Sequence, residues 1–304
     1  LTVVESMATR PNNIDLLSPR LMAQLERLEL VSRKVFRGRF KGERRSPRRG
    51  QSAEFADFRN YVPGDDLRFA DWNTYARLDR LFLKMFFAEE DLHFYTLIDA
   101  SRSMDFGTPT KLHAAKQLAA ALGFIGLIRS DRVRIETVGP SAQRPAPVFR
   151  GRQSTRRMVE YLSAIQAERA SSLTAGVKDF CIRNSGKGVV VLISDLLDKE
   201  GYADALQYLL SRNLDVYVVH LLSADELDPD IRGDLQLVDS EDRDLAEITA
   251  SALLLKRYQK NLKDFIDTAD EFCTRRGIGY VLANNQTPIE ALVSKYLRKR
   301  GLVR

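Results

Sequence analysis

Residues 92–103 read Leu-His-Phe-Tyr-Thr-Leu-Ile-Asp-Ala-Ser-Arg-Ser, and their pattern sets the fold. The run 92–98 has the length and β-favouring composition of a strand. It ends in the polar turn Asp99-Ala100-Ser101-Arg102-Ser103. A helical pattern over 110–129 follows, with Leu112, Ala115, Leu118, Leu122 and Ile125 on one face. Strand, polar turn and helix are the first half of a βαβ unit. The pattern then repeats. Residues 132–138 alternate with period two, as in a half-exposed strand, and 154–168 and 172–184 read as helices. Residues 188–193 are a continuous β-branched run, which predicts a strand buried on both faces. A helix over 201–212 and a strand over 215–221 complete the series. The expected fold class is α/β, an open and mostly parallel sheet flanked by helices, of Rossmann-like kind.

The flanks are expected to add less regular parts. Ser18-Pro19 caps an amphipathic helix predicted over 18–36, with Leu21, Leu25, Leu28 and Val31 in register. Residues 37–75 read as loops and short strands. Beyond the sheet, 235–250 reads as a hairpin around Ser240-Glu241-Asp242. A helix over 251–276, a strand over 279–283 and a helix over 287–300 follow. This divides the chain into 1–90, a helix with a small β-rich elaboration, and 91–304, the α/β domain.

Of the 304 residues, 44% are hydrophobic and 29% charged, a mix that excludes a disordered chain. No apolar run reaches the roughly 18 residues that span a bilayer. Residues 1–20 carry Pro11, Asn12, Asn13 and Asp15 and do not read as a signal peptide. Cys181 and Cys273 read as reduced thiols, and His93, His113 and His220 lack zinc spacing. A cytoplasmic location is expected. Charge is uneven: residues 33–49 hold nine Lys or Arg and one acid, whereas 225–247 hold ten acids and two arginines.

Asp99, Ser101 and Ser103 lie where ligands bind in open α/β sheets, at the carboxyl end of a strand. One carboxylate and two hydroxyls on alternate residues are hard oxygen donors suited to Mg²⁺ or Mn²⁺. Asp195 ends the most buried strand and faces the same crevice if the two strands are neighbours. A cation held by so few charges would accept a further carboxylate from another protein. A capping turn with no metal is the plainer alternative.

This constellation resembles the metal-ion-dependent adhesion site of von Willebrand factor A-type domains. There the first strand ends in Asp-x-Ser-x-Ser, a middle loop gives a Thr, and a later strand ends in Asp. The matching positions here are Asp99, Ser101, Ser103 and Asp195. In the middle loop, Ser171 matches the Thr, with Ser172 and Thr174 as alternatives; the family's Gly-Gly before it is absent.

A denser set of residues lies upstream. Gly42-x-x-Arg45-Ser46, Gly50, Glu54-Phe55, Arg59-x-Tyr61-x-Pro63-Gly64-Asp65-Asp66-x-Arg68, Asp71-Trp72 and Ala76-Arg77 resemble the signature of the bacterial family called domain of unknown function 58. The similarity extends over 38–200 and returns in the tail around Gly301. It implies an A-type domain and a MoxR-type AAA+ ATPase partner, in chaperone-like maturation or assembly of a client protein, and not an ATPase activity of the chain's own; the chain is not expected to be an enzyme. Physically, Pro63-Gly64-Asp65-Asp66 is a turn. Arg59, Arg68 and Arg77 are expected to pair with Glu54, Asp65, Asp66 and Asp71, and Trp72, Phe55, Phe58, Tyr61 and Tyr75 to form a small core. The alternative role is a docking surface made of Arg59, Tyr61, Asp65, Asp66, Arg68, Asp71, Trp72 and Arg77.

Two other functions compete. The basic run 33–49, with Phe36 and Phe40, is compatible with nucleic acid. A Mg²⁺-dependent hydrolase or phosphotransferase would use Asp99, but no Gly-x-Ser-x-Gly elbow surrounds Ser101 or Ser103. Ser185-Gly186-Lys187-Gly188 contains a Gly-Lys pair, yet it precedes a strand, where a phosphate loop follows one.

Overall fold

The computed structural model describes residues 16–31, 55–86, 93–138, 146–168, 172–212, 214–229, 233–238, 245–250 and 252–304. Two compact units are present: 1–34 together with 92–304, and 35–91. The basic run 33–49 and the signature residues 42–54 lie outside the described residues.

The larger unit is built on a six-stranded sheet of order β10-β7-β6-β3-β4-β5. Its strands are β3 (His93–Asp99), β4 (Arg132–Val138), β5 (Val148–Phe149), β6 (Gly188–Ser194), β7 (Leu214–Leu222) and β10 (Gly279–Asn284). All pairings are parallel except β4 with β5, so the chain is an α/β protein with a largely parallel sheet flanked by helices. The continuous run in β6 is buried along its whole length, and its side chains divide by parity. Val189, Val191 and Ile193 join one core cluster, and Val190 and Leu192 the other. A period of two on a strand covered on both sides requires this division.

On the first face, α3 (Lys111–Ile128) packs with α4 (Thr155–Ala164) and the C-terminal turns. The single apolar face predicted for α3 is too narrow. Ala114, Ala119, Ala120, Ala121 and Phe124 are buried as well, because neighbours surround this helix. On the second face lie α5 (Leu173–Arg183), α6 (Ala203–Ser211) and the end of α8 (Ala252–Arg275). Gly188 joins β6 to β3 at close range: a Cβ there would lie 1.9 Å from the His93 carbonyl oxygen, so only glycine permits the pairing.

The N-terminal helix α1 (Pro19–Leu25) is shorter than predicted. Ser18 caps it, Leu21 and Leu25 are buried, and Leu30 already forms a β-bridge with Val303. It packs within the α/β unit, where its apolar face covers α3. The predicted hairpin is present as β8 (Gly233–Val238) and β9 (Leu245–Ala250), paired antiparallel with Val238 opposite Leu245.

In the smaller unit, β1 (Phe55–Asn60) pairs antiparallel with β2 (Phe82–Phe86), and α2 (Trp72–Leu78) lies between them in sequence. Asp71 starts α2 by accepting hydrogen bonds from the Asn73 and Thr74 amides. Arg59 pairs with Asp65 at 2.7 Å and Arg68 with Asp66 at 2.6 Å, as the spacing predicts, while Asp71 is 3.6 Å from Lys84. Among the described side chains the expected aromatic core does not form. Trp72 and Tyr75 meet edge to face at 6.2 Å, but Phe58, Trp72 and Tyr75 are exposed, Trp72 at 56%.

Among the described residues, no helix is long and apolar enough to cross a membrane. Cys181 and Cys273 are free and buried. Burial, with Asp270 nearby, pushes the Cys273 thiol up to about 12, and burial also raises Cys181. Since the thiolate is the reactive form, neither cysteine is expected to react with a thiol reagent in the native protein at neutral pH. Labelling should appear only with denaturant; rapid labelling of native protein contradicts this packing.

Candidate metal centre

The carboxyl ends of β3 and β6 are adjacent because Ile98 pairs with Ile193. Asp99 therefore lies beside Ser194, with Asp195 one residue farther on. Here a crevice of about 190 Å³ opens, lined by Asp99, Ser101, Ser103, Ser172, Asp195 and Asp198, with Lys199 and Glu200 on its rim. The predicted neighbour relation of the two strands holds, and it brings Asp99, Ser101, Ser103 and Asp195 together.

Each side chain is held. Asp99 Oδ1 accepts the Ser101 amide at 2.9 Å, and Oδ2 accepts the Ser194 hydroxyl at 2.6 Å. Ser101 Oγ and Ser103 Oγ are 3.0 Å apart. Asp195 Oδ1 accepts the Leu197 amide at 3.1 Å, and Oδ2 accepts Lys111 Nζ at 2.8 Å. Leu196, between them, has φ of 58° although it is neither glycine nor asparagine. That left-handed turn costs on the order of 1 kcal/mol or more. It bends the chain so that Asp195 and Asp198 both reach the crevice.

Asp99 is 8% exposed and Asp195 1%. Burial, and then the Asp195 carboxylate, push the Asp99 carboxyl up; the Ser194 and Ser101 hydrogen bonds oppose this only in part. Two buried carboxylates, with Asp198 and Glu200, outnumber the two cations present, Lys199 in the lining and Lys111 behind Asp195, so the crevice keeps an excess of negative charge.

The donor set fits a hard cation. Ligands about 2.1 Å from an octahedral Mg²⁺ lie about 3.0 Å apart at adjacent positions. The two serine hydroxyls have that separation. Among the described residues no three His, Cys, Asp or Glu side chains converge as a metal cluster, so a cation here would rest on hydroxyls as well as carboxylates.

Ser171 lies outside the described residues. Ser172 reaches the crevice, but its hydroxyl donates to Glu200 and accepts the Ala175 amide at 3.3 Å. Thr174 Oγ1 is buried without a hydrogen bond and is not part of the lining.

Lys111 joins the site without having been among the residues expected there. Its side chain is fully buried, and Nζ bridges Asp195 at 2.8 Å and Glu226 at 2.6 Å. Glu226 belongs to α7 (Ala224–Leu227), where it also closes a capping box with Ser223. The signal was present: Lys111 lies four and seven residues before Ala115 and Leu118, on the apolar face. A cation in a first helical turn also opposes the helix dipole.

Fold and crevice together define an α/β protein with an acidic, hydroxyl-lined site at the carboxyl ends of its central strands. The sequence profile of the family described as "Protein of unknown function DUF58" matches residues 57–266, and the chain belongs to that family. Relatives include uncharacterized proteins of Mycobacterium tuberculosis and Mycobacterium bovis. Each is 26% identical over 279 residues, covering 90% of this chain and 87% of the relative. Among solved structures, BatB from Bacteroides thetaiotaomicron, described as a conserved hypothetical protein, matches with a TM-score of 0.39 and 13% identity, over 69% of this chain and 98% of that one. An aerotolerance-related membrane protein from Bacteroides fragilis matches with a TM-score of 0.39 and 18% identity, over 68% of this chain and 99% of that one.

Proposed function

We propose that this chain is a metal-dependent protein-interaction protein of von Willebrand factor A type, with an adhesion site for Mg²⁺ or Mn²⁺. Ser101 and Ser103 would hold the cation directly, and Asp99 and Asp195 would balance its charge. One observation carries the reading: two hydroxyls in hydrogen-bond contact 3.0 Å apart, the spacing of adjacent octahedral ligands, share one crevice with two buried carboxylates at the ends of adjacent parallel strands. When bound, the cation supplies an attachment point for a carboxylate of the partner protein. With Asp195 already paired to Lys111, the chain's own residues orient that point and leave the cation under-neutralised, open to that carboxylate.

Binding is favoured over catalysis by Asp99 itself. Both its oxygens already accept hydrogen bonds and it is 8% exposed, an unfavourable state for a nucleophile. The family resemblance supplies the partner class, a MoxR-type AAA+ ATPase acting on a client protein. The smaller unit supplies a second contact: Trp72, Val62 and Leu78 are 56, 53 and 61% exposed beside Arg77 and the Arg59–Asp65 and Arg68–Asp66 pairs. Exposed apolar groups rimmed by charge are common in interaction sites. Two buried, unpaired cysteines are in keeping with a reducing compartment such as the cytoplasm.

The test is capture of a MoxR-type ATPase by the immobilised chain, in millimolar Mg²⁺ and in chelator. Capture should require the cation and be lost in Asp99→Ala. Capture that survives chelator contradicts the adhesion site.

A further inference from the structure

The opposite ends of the same strands hold a larger cavity, about 320 Å³, which the proposed function does not use. Its walls come from the starts of β3 and β4, from β5, and from the segment between α5 and β6. His93, Tyr95, Arg132, Arg134, Arg150 and Arg183 line it, and among the described residues no carboxylate does. Two of the guanidiniums are held in place from behind. Buried Glu136 is 2.8 Å from Arg183 and 3.8 Å from Arg134, and Arg134 also donates to Asn184. Asp179 accepts from Arg183 at 3.1 Å on the helix surface. Side chains anchored in this way lose little freedom when a ligand arrives.

The remaining wall is a stacked pair. The His93 and Tyr95 rings are 5.8 Å apart and 17° from parallel, with Tyr95 Oη 3.3 Å from His93 Nδ1. Gly186 lies against them: a Cβ there would be 2.4 Å from Tyr95 Oη and 2.6 Å from the His93 ring, so a side chain would displace this wall. Ser185-Gly186-Lys187-Gly188 thus borders the cavity from before its strand. It does not form a phosphate loop, and arginines supply the cationic groups instead.

We propose that this cavity binds a small molecule carrying a phosphoryl chain, a di- or triphosphate. Guanidinium forks match phosphoryl oxygens two at a time, and four of them suit a ligand with several negative charges. The volume is at the lower end of small-molecule sites, which run from about 300 to 1,000 Å³, so a short phosphoryl chain fits and a dinucleotide does not. Six residues of strand, about 20 Å, separate His93 from Asp99, so this inference is independent of the metal reading.

The experiment is calorimetric titration of the full chain, without divalent cation, using pyrophosphate and tripolyphosphate. Wild type should bind, Arg132→Gln/Arg150→Gln should bind at least tenfold more weakly, and Arg156→Gln/Arg275→Gln, on exposed helix faces, should bind as wild type does. No binding by wild type, or equal weakening in the control pair, overturns the proposal. So does equal affinity for citrate, or binding of an oligonucleotide with no binding of pyrophosphate. Phenylglyoxal labelling of wild type, read by mass spectrometry, avoids reliance on the folding of the variants. Tripolyphosphate should protect Arg132 and Arg150 and leave Arg156 labelled; unchanged labelling of all three overturns the proposal.

Discussion

Lys111→Met is expected to destabilise the protein by about 3–5 kcal/mol, the usual cost of removing one partner from a buried ion pair. The methionine fills the space of the aliphatic stem but leaves two carboxylates without their cation. Asp195 is 2% exposed at its side chain and Glu226 18%, so water replaces the ammonium poorly at Asp195. For a domain of this size, about 4 kcal/mol corresponds to a fall of roughly 10 °C in Tm. Thermal unfolding followed by circular dichroism measures it. Adding Glu226→Gln to the variant should recover part of the loss by removing one unpaired charge. A fall of only a degree or two would mean that the carboxylates are solvated and that the bridge contributes little.

The second large effect is a reversal of order at Asp99. Without divalent cation, Asp99→Asn should be more stable than wild type, because the amide removes the cost of burying a charge, and then the repulsion from Asp195, which together raise the Asp99 carboxyl. It can still accept the Ser101 amide and bond with Ser194. With cation at about 100 times its Kd, wild type should gain about 2.7 kcal/mol, or roughly 5–10 °C, while the variant gains little. Differential scanning fluorimetry with chelator and with Mn²⁺ reads both halves. If Asp99→Asn is the less stable protein in chelator, the crevice is not short of positive charge.

Much of this site was legible in the sequence. Strand composition placed β3 and β6, and the polar residues following each strand then had to meet wherever the two were neighbours. What escaped depends on contacts distant in sequence. Ser194 looked like the last residue of a strand, and only the register with β3 makes it a donor to Asp99, 95 positions away. Lys111 is 84 positions from Asp195 and 115 from Glu226. Helical periodicity reports that a face is buried, not which charges lie across it. Helix α1 ended early for a similar reason: Leu28 and Val31 continue its pattern, but the backbone from 29 to 31 is taken up by pairing with 302–304. Aromatic density in 55–75 suggested a core, whereas so short a unit leaves Phe58, Trp72 and Tyr75 at the surface.

The adhesion-site reading depends most directly on cation binding at the Asp99 crevice. Calorimetric titration of Mn²⁺ and Mg²⁺ into wild type and Asp99→Ala measures it. A saturable heat near one cation per chain in wild type, absent in Asp99→Ala, is the predicted result; equal heats in the two proteins, or none in wild type, would contradict it.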